Sequence, residues 1–367
     1  MKAYKIFAIN PGSTSTKIAL IQGDEVLFSK NVSHDAKKLA EYDGISAQKP
    51  YRVETIMNLL DEAGIKLDDV DAFVGRGGGL LAMEGGTYKM SDIMLDHATR
   101  GANGIQHPAQ LGPQIANELA LQYNVPAFVV NPPDVDEYQD LARMTGMKGI
   151  YRTCHLHALN LKETAIRHAD SEGKKYEEQN YVVCHIGGGV SVSAHKQGKM
   201  IDGFDIVGGE GPMSPTRCGE LPVGNLLRYL KDKDINEVKA ICTRSGGFVS
   251  HFNSSDALEI SNRAAEGDKY AEMVWNTMIY QITKCIGSMA SVLHGKVDGI
   301  LLGGGMVYNK GLVAQIKEAC EWIAPVSAYP GEFEMEAMAA GANRVLNGVE
   351  EAKEYTGVPV WTGFDFE

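Results

Sequence analysis

The residues best suited to chemistry in this chain are Ile9-Asn10-Pro11-Gly12-Ser13-Thr14-Ser15-Thr16-Lys17. An apolar run from Ile6 ends in Asn-Pro-Gly, passes four hydroxyl side chains and resumes after Lys17 as Ile18-Ala19-Leu20. That pattern reads as strand, tight turn, strand. The turn offers small side chains, backbone N–H groups, hydroxyls and one ammonium, which suits a phosphate group. It is not a Walker A loop, because no glycine immediately precedes Lys17 and a strand follows. An ordinary polar hairpin is the other reading of this stretch alone.

A second copy favours the phosphate reading. Tyr181-Val182-Val183-Cys184-His185-Ile186-Gly187-Gly188-Gly189-Val190-Ser191-Val192 has the same plan, offset by 175 residues (185 − 10) when His185 is set on Asn10. At that offset Gly12, Ala19, Gln22 and Gly23 fall on Gly187, Ala194, Gln197 and Gly198. Both copies run on into a third short strand, at Val26-Leu27-Phe28 and Lys199-Met200-Ile201. The spacing is close to half of the 367 residues, so the chain reads as a duplicated unit.

The elements between the two copies must position them. Val53, Ile56, Met57 and Leu60 follow a helical spacing that ends at Gly64. A strand over Val70 to Val74 runs into Gly75-Arg76-Gly77-Gly78-Gly79, a helix follows Pro113, and Ala127 to Val130 is a buried strand before Asn131. The second half gives a helix near Val223 to Lys231, a small helical region to Arg263 and a long helix over Ala271 to Leu293. A strand over Val297 to Leu302 then ends at Gly303-Gly304-Gly305, followed by helices over Lys310 to Trp322 and Met335 to Leu346. The methionines of the long helix read as core. The tail from Thr356 reads as an extended packed or mobile segment. Alternating strands and helices imply mostly parallel sheets. Ligands then bind beyond the carboxyl ends of the strands, where Asn10, Arg76, Asn131, His185 and the two glycine triplets lie.

A net charge of −12 argues against nucleic acid or an anionic membrane as partner, and makes each cation in a site more informative. No apolar stretch approaches ~18 residues, and the short N-terminal run is not a signal peptide, so a cytoplasmic location is expected. The six cysteines form no C-x-x-C and read as reduced thiols.

Taken in order, these motifs resemble the acetate kinase family of carboxylate kinases, and within it the butyrate and branched-chain fatty acid kinases. The resemblance also rests on Gln106-His107-Pro108, Arg152 to Asn160, Pro215-Thr216-Arg217-Cys218-Gly219-Glu220, Leu302 to Met306 and Glu332 to Arg344. It covers nearly the whole chain. It implies an α/β, duplicated actin-like ATPase (ribonuclease H-like) fold with two domains and a central cleft. The expected domains are 1–152 with a C-terminal helix of about 338–355, and a nucleotide-binding domain over 153–337.

The implied chemistry is reversible phosphoryl transfer from ATP to butyrate or a branched short-chain acid, giving an acyl phosphate and ADP, with Mg²⁺. Such transfer is mostly positioning and charge stabilisation. The resemblance assigns Arg76 to the carboxylate, Arg217 to the transferring phosphoryl group and His157 as a donor to its oxygens. His107 would line the acid site. Asn10, Ser13, Ser15 and Lys17 would hold phosphate oxygens and the metal's water shell. His185 with Gly187, Gly188 and Gly189 would cradle the nucleotide phosphates, and Gly303, Gly304 and Gly305 would let adenosine approach. Asn10 and Glu336, with Glu334 the alternative, would serve the metal. Many relatives carry Asp where this chain has Asn131, and Asp134 or Asp136 could compensate. His155 falls outside the match and reads as structural.

Acetate-specific relatives are bulky after the arginine of the second turn, whereas this chain has Gly77, Gly78 and Gly79. The expectation is open space there for acids of about four or five carbons. An acetate or propionate kinase is the near alternative, and an actin- or Hsp70-like ATP-driven clamp is the alternative of another class. A homodimer or higher homo-oligomer is expected.

Overall fold

The computed structural model describes residues 2–365. They divide into two compact units, Met1–Asp136 with Phe333–Glu367, and Glu137–Glu332. The crossings expected near 152 and 338 therefore lie earlier, and local bonding explains the first. Gln139 N–H donates to Ile201 O, the Glu137 carboxylate accepts from Met200 N–H and pairs with buried Lys162, and Arg152 pairs with Asp202 and Glu210. The segment after Asp136 is thus bound into the second unit.

The first unit is built on β1 (Lys5–Pro11), β2 (Ser15–Gln22), β3 (Glu25–Ser33), β4 (Ala72–Gly75), β5 (Thr87–Lys89) and β6 (Ala127–Val130). They form one sheet in the order β3-β2-β1-β4-β6-β5. The second unit has β7 (Asn180–Ile186), β8 (Val190–Lys196), β9 (Lys199–Gly203), β10 (Gly299–Gly304) and β11 (Val326–Pro330), in the order β11-β10-β7-β8-β9. Taken from the hairpin edge, β3-β2-β1-β4-β6 and β9-β8-β7-β10-β11 match, each with two antiparallel pairings followed by two parallel ones.

The duplication extends to register, with one slip. β1 maps onto β7 at the expected offset of 175. Across the turn, however, Asn10 faces Lys17 while His185 faces Ser191, so the second turn is one residue shorter. From β2 onward the structural offset is 174, and Lys17 corresponds to Ser191. The sequence identities at Ala19, Gln22 and Gly23 are one residue out of step with this pairing. The β-bulge between Leu20 and Ile21 recurs between Ala194 and His195, at the same offset of 174.

Each sheet is covered by amphipathic helices. In the first unit Ile56 and Leu60 of the helix Lys49–Glu62, with Ile115 and Leu119 of the helix Leu111–Tyr123, bury Phe7, Ile9 and Ile18. In the second, Met278, Ile282, Ile286 and Met289 of the helix Lys269–Val292 lie in the core with Val182, Cys184 and Val192. Those methionines are core, as expected.

Several elements were not anticipated. β5 has only three residues. The helix Asp92–Arg100 is capped by Ser91 and closed by left-handed Gly101. The helix Ala158–Ser171 buries Asn160, Lys162, Glu163 and Thr164 as well as its apolar residues, so its hydrophobic period is blurred. β11 is an edge strand with partly exposed residues. The tail packs in part, with Tyr355 buried and Val360 N–H bonded to Ala82 O, while residues 366–367 lie outside the described residues. No described helix is long and apolar enough to cross a membrane.

Candidate active site

In the first unit the candidate residues meet at the carboxyl ends of β1, β4 and β6. Asn10, near the end of β1, donates from Nδ2 to Glu334 Oε2 at 2.7 Å. Glu334 opens the helix Glu334–Leu346, so Asn10 reaches the first turn of that helix. Glu336, named from the sequence, makes no hydrogen bond to Asn10. Lys17 is the cross-strand partner of Asn10 and shares its face of the hairpin. No carboxylate pairs with Lys17 among the described residues.

Arg76 follows β4. Its backbone N–H bonds Ile9 O at 2.8 Å, and its side chain is buried, donating to Asn131 O at 3.4 Å. Burial lowers its pKa, while the nearby Glu334 and Asp134 carboxylates oppose that effect. Gly75 and Gly112 make this placement possible. A β-carbon on either would overlap the other's turn, so the start of the helix Leu111–Tyr123 lies directly on the backbone of Arg76. His107 stands close to the same charges. Burial of its ring, then Arg76, then Arg52, hold its pKa below the ordinary value. Its Nδ1 accepts from Ala109 N–H at 3.1 Å, which keeps the proton of the neutral ring on Nε2.

In the second unit His185 ends β7 beside the Gly187–Gly189 turn, and its ring lies 4.3 Å from that of His157. His157 is the residue before the helix Ala158–Ser171, and its Nδ1 lies 2.8 Å from Ser191 Oγ. Arg217 lies against Gly189. A β-carbon at Gly189 would overlap the Arg217 guanidinium and come within 3.2 Å of His157 Cε1, so arginine and histidine share the space above this glycine. Arg217 Nε and Nη1 are buried without an acceptor among the described residues. Burial lowers the pKa of Arg217 and Asp205 opposes it. The loop carrying it is pinned where Ser214 and Thr216 hydroxyls both donate to Gly188 O, at 2.9 and 3.0 Å. A desolvated guanidinium with unused donors is an arrangement that an anion would complete.

Residues 139–324 match the acetokinase family model. Butyrate kinase 2 of Clostridium acetobutylicum is 44% identical over 358 residues, covering 96% of this chain and 99% of that protein. A probable butyrate kinase of Clostridium botulinum (strain Eklund 17B / Type B) is 43% identical over 355 residues, covering 96% of this chain and 100% of that protein. The chain belongs to the acetokinase family. Among solved structures, the acetate kinase of Porphyromonas gingivalis superposes with a TM-score of 0.76 at 17% identity, over 95% of this chain and 100% of that one. That likeness establishes the fold as the duplicated actin-like type, in agreement with the two matching sheets.

Within this acetokinase frame several expectations need amendment. The space expected at Gly77–Gly79 is filled. A β-carbon at Gly77 would lie 2.6 Å from Pro132 Cβ, one at Gly78 3.1 Å from Ala109 Cβ, and one at Gly79 3.2 Å from Gly101 Cα. These glycines serve close packing of the turn. Asn131 is engaged structurally. Its φ is +38°, and its Oδ1 accepts from Gly86 N–H at 2.7 Å. Asp134, beside Arg76, is the nearby carboxylate. His155 is structural in its bonding, with Nδ1 2.8 Å from Asp205 Oδ2. Burial pushes the Asp205 carboxyl up, but the hydrogen bonds from His155 and Thr153 outweigh it and hold it below the usual range.

Gly303 pairs with His185 across the sheet, while Gly304 (φ +103°) is pressed against the Ile186 backbone and Gly305 faces open space. Sequence reasoning missed Ser191, because its place opposite His185, as Lys17 is opposite Asn10, shows only in the strand pairing and not at the sequence offset of 175. It also missed Arg52, which carried no motif signal and sits in an ordinary helix.

Proposed function

We propose that this chain transfers a phosphoryl group between ATP and a short-chain carboxylate, with butyrate or a branched relative as the acid. The observation that carries the reading is the half-buried Arg217, whose buried Nε and Nη1 have no acceptor among the described residues and whose guanidinium shares the space above Gly189 with His157. The names of the similar clostridial proteins support butyrate as the acid.

In the reaction a carboxylate oxygen forms a bond to the γ-phosphorus as the bond to the β-phosphate bridging oxygen breaks, and ADP leaves with that electron pair. The carboxylate is already ionised near neutral pH, so no general base is needed. Arg76 holds the acid, with His107 beside it. Arg217 and His157 donate to the oxygens of the moving phosphoryl group. Ser13, Ser15 and Lys17 hold phosphate oxygens. His185 and Gly187–Gly189 receive the nucleotide phosphates, and Gly303–Gly305 receive adenosine. Gly78 contributes to the acid site through its backbone.

Mg²⁺ fits the hard oxygen donors in the first unit. Glu334 with the Asn10 side chain would hold it, with most of its ligands being water and phosphate. No described cluster of three His, Cys, Asp or Glu forms a dedicated metal cage, and Mg²⁺ on a nucleotide does not require one. When bound, the ion would neutralise charge on the phosphates. A homo-oligomeric state and a cytoplasmic location belong to the same reading.

Trapping the acyl phosphate with hydroxylamine across acetate, propionate, butyrate, isobutyrate and valerate tests the proposal. ATP-dependent hydroxamate with an optimum at four or five carbons, about that of the named relatives' acid, is expected. An optimum at acetate would reassign the acid. ATP hydrolysis with no hydroxamate from any acid would favour a clamp.

A further inference from the structure

Arg52 is fully buried in the first unit and lies beneath the turn that joins β1 to β2. Its Nη1 donates to Gly12 O at 2.9 Å, Ser15 O at 3.3 Å and Thr16 Oγ1 at 3.1 Å. Its Nη2 reaches Ser13 O at 3.4 Å, and both Nη2 and Nε donate to Gln48 Oε1. Thr14 O, the remaining carbonyl of the turn, accepts from His34 N–H at 2.8 Å. Every carbonyl from Gly12 to Ser15 is therefore bound. The N–H groups of Ser13 and Thr14, by contrast, donate to no protein acceptor among the described residues, and both residues are exposed.

Arg52 also has no carboxylate partner among the described residues. A buried cation without a counter-charge is costly to keep. An arginine needed only to brace carbonyls could have had an acid in place of Gln48, at less cost. What the uncompensated charge adds is a positive potential under a turn whose outward face is two unused N–H groups, hydroxyls and Lys17. His34 reinforces this arrangement without neutralising it, since its Nε2 meets Thr16 Oγ1 at 2.8 Å.

We propose that Arg52 is a positioning residue for the transferring phosphoryl group, holding the carbonyls of the 12–15 turn inward and acting on the bound anion through its unpaired charge. This rests on the reading that the turn receives that group. It adds a residue that touches neither the acid nor the nucleotide, and it identifies the missing carboxylate as the functional feature.

The test is to neutralise the charge without removing a hydrogen bond. Gln48→Glu places a carboxylate where the amide oxygen already accepts from Arg52. The full-length enzyme is assayed in the direction of ATP formation from butyryl phosphate and ADP. The melting temperature should stay the same or rise, and KM for butyryl phosphate should rise about tenfold, as expected for cancelling one charge several ångströms from an anion. KM for ADP should stay within about twofold. A purely bracing role predicts no change in either KM, and an unchanged butyryl phosphate KM in the folded variant overturns the inference. Should Gln48→Glu not fold, Arg52→Lys and Arg52→Met are compared. The inference requires the higher butyryl phosphate KM in the Met variant, and equal values sink it. Failure of the wild-type enzyme to make ATP from any acyl phosphate would instead reject the proposed function itself.

Discussion

Ser191 Oγ lies 2.8 Å from Nδ1 of His157 and 3.3 Å from the backbone nitrogen of the same residue. The hydroxyl accepts the backbone N–H, and its hydrogen bond with Nδ1 fixes the orientation of the ring. Ser191→Ala should leave the fold intact and lower kcat about 10–100-fold, the loss expected when a catalytic group is misplaced by about an ångström. KM for ATP should change little, and Ser191→Thr should restore part of the rate. Steady-state kinetics of the three enzymes decide it. A Thr variant no better than Ala would mean that the hydroxyl does not orient the ring.

Arg217 separates stability from activity. Its buried Nε and Nη1 have no acceptor among the described residues, so the folded protein carries an unpaid desolvation cost at this site. Arg217→Met should abolish turnover by about 10³–10⁵-fold, as for cations acting on other phosphoryl transfers. The same change should keep or raise the melting temperature. A loss of activity below about tenfold, ~1.4 kcal/mol of transition-state stabilisation, would misplace the residue. A large fall in melting temperature would make it structural.

The sequence made legible what repeats and what ends a strand. Asn10, Arg76, His185 and Gly303–Gly305 all lie at or just beyond carboxyl ends of strands, because apolar runs closed by glycine or asparagine mark those ends well. It did not reveal the one-residue shorter second turn, since identities at Ala19, Gln22 and Gly23 survive a shift that only hydrogen-bond pairing detects. It missed the helix after His157 because buried Asn160, Lys162, Glu163 and Thr164 blur the period. The glycines after Arg76 misled for a related reason. A missing side chain in sequence is not a void in space, and Pro132 and Ala109 occupy that volume.

Acid should weaken the first unit through His34. Burial, then the Arg52 charge, lower its pKa from 6.5 to about 4. Above pH 6.5 both folded and unfolded forms are neutral there, and the group contributes no pH dependence. Between 6.5 and about 4 the unfolded chain takes up a proton that the folded one refuses, so stability falls as pH falls, and the loss levels off below about 4. At about 1.4 kcal/mol per pKa unit, the full effect is a few kcal/mol. Urea unfolding at pH 7 and pH 4.5 should show a smaller drop in His34→Gln than in the wild type. Equal drops would mean that the ring is protonated in the folded protein.

Gly189→Ala isolates the contact between the glycine turn and the arginine loop. Gly189 is not among the residues with positive φ, so alanine suits its backbone. The added methyl group, however, would occupy the position of the Arg217 guanidinium, with His157 Cε1 3.2 Å away. The end of a long side chain can move aside, so the fold should survive with a melting temperature within a few degrees of wild type. Such a move takes Arg217 from the position that the proposed function gives it, and a catalytic group moved by about an ångström costs on the order of 10²-fold in rate. The variant should therefore lose kcat by at least that much while remaining folded. Near-normal turnover in Gly189→Ala would show that Arg217 acts from another position than the one it occupies here.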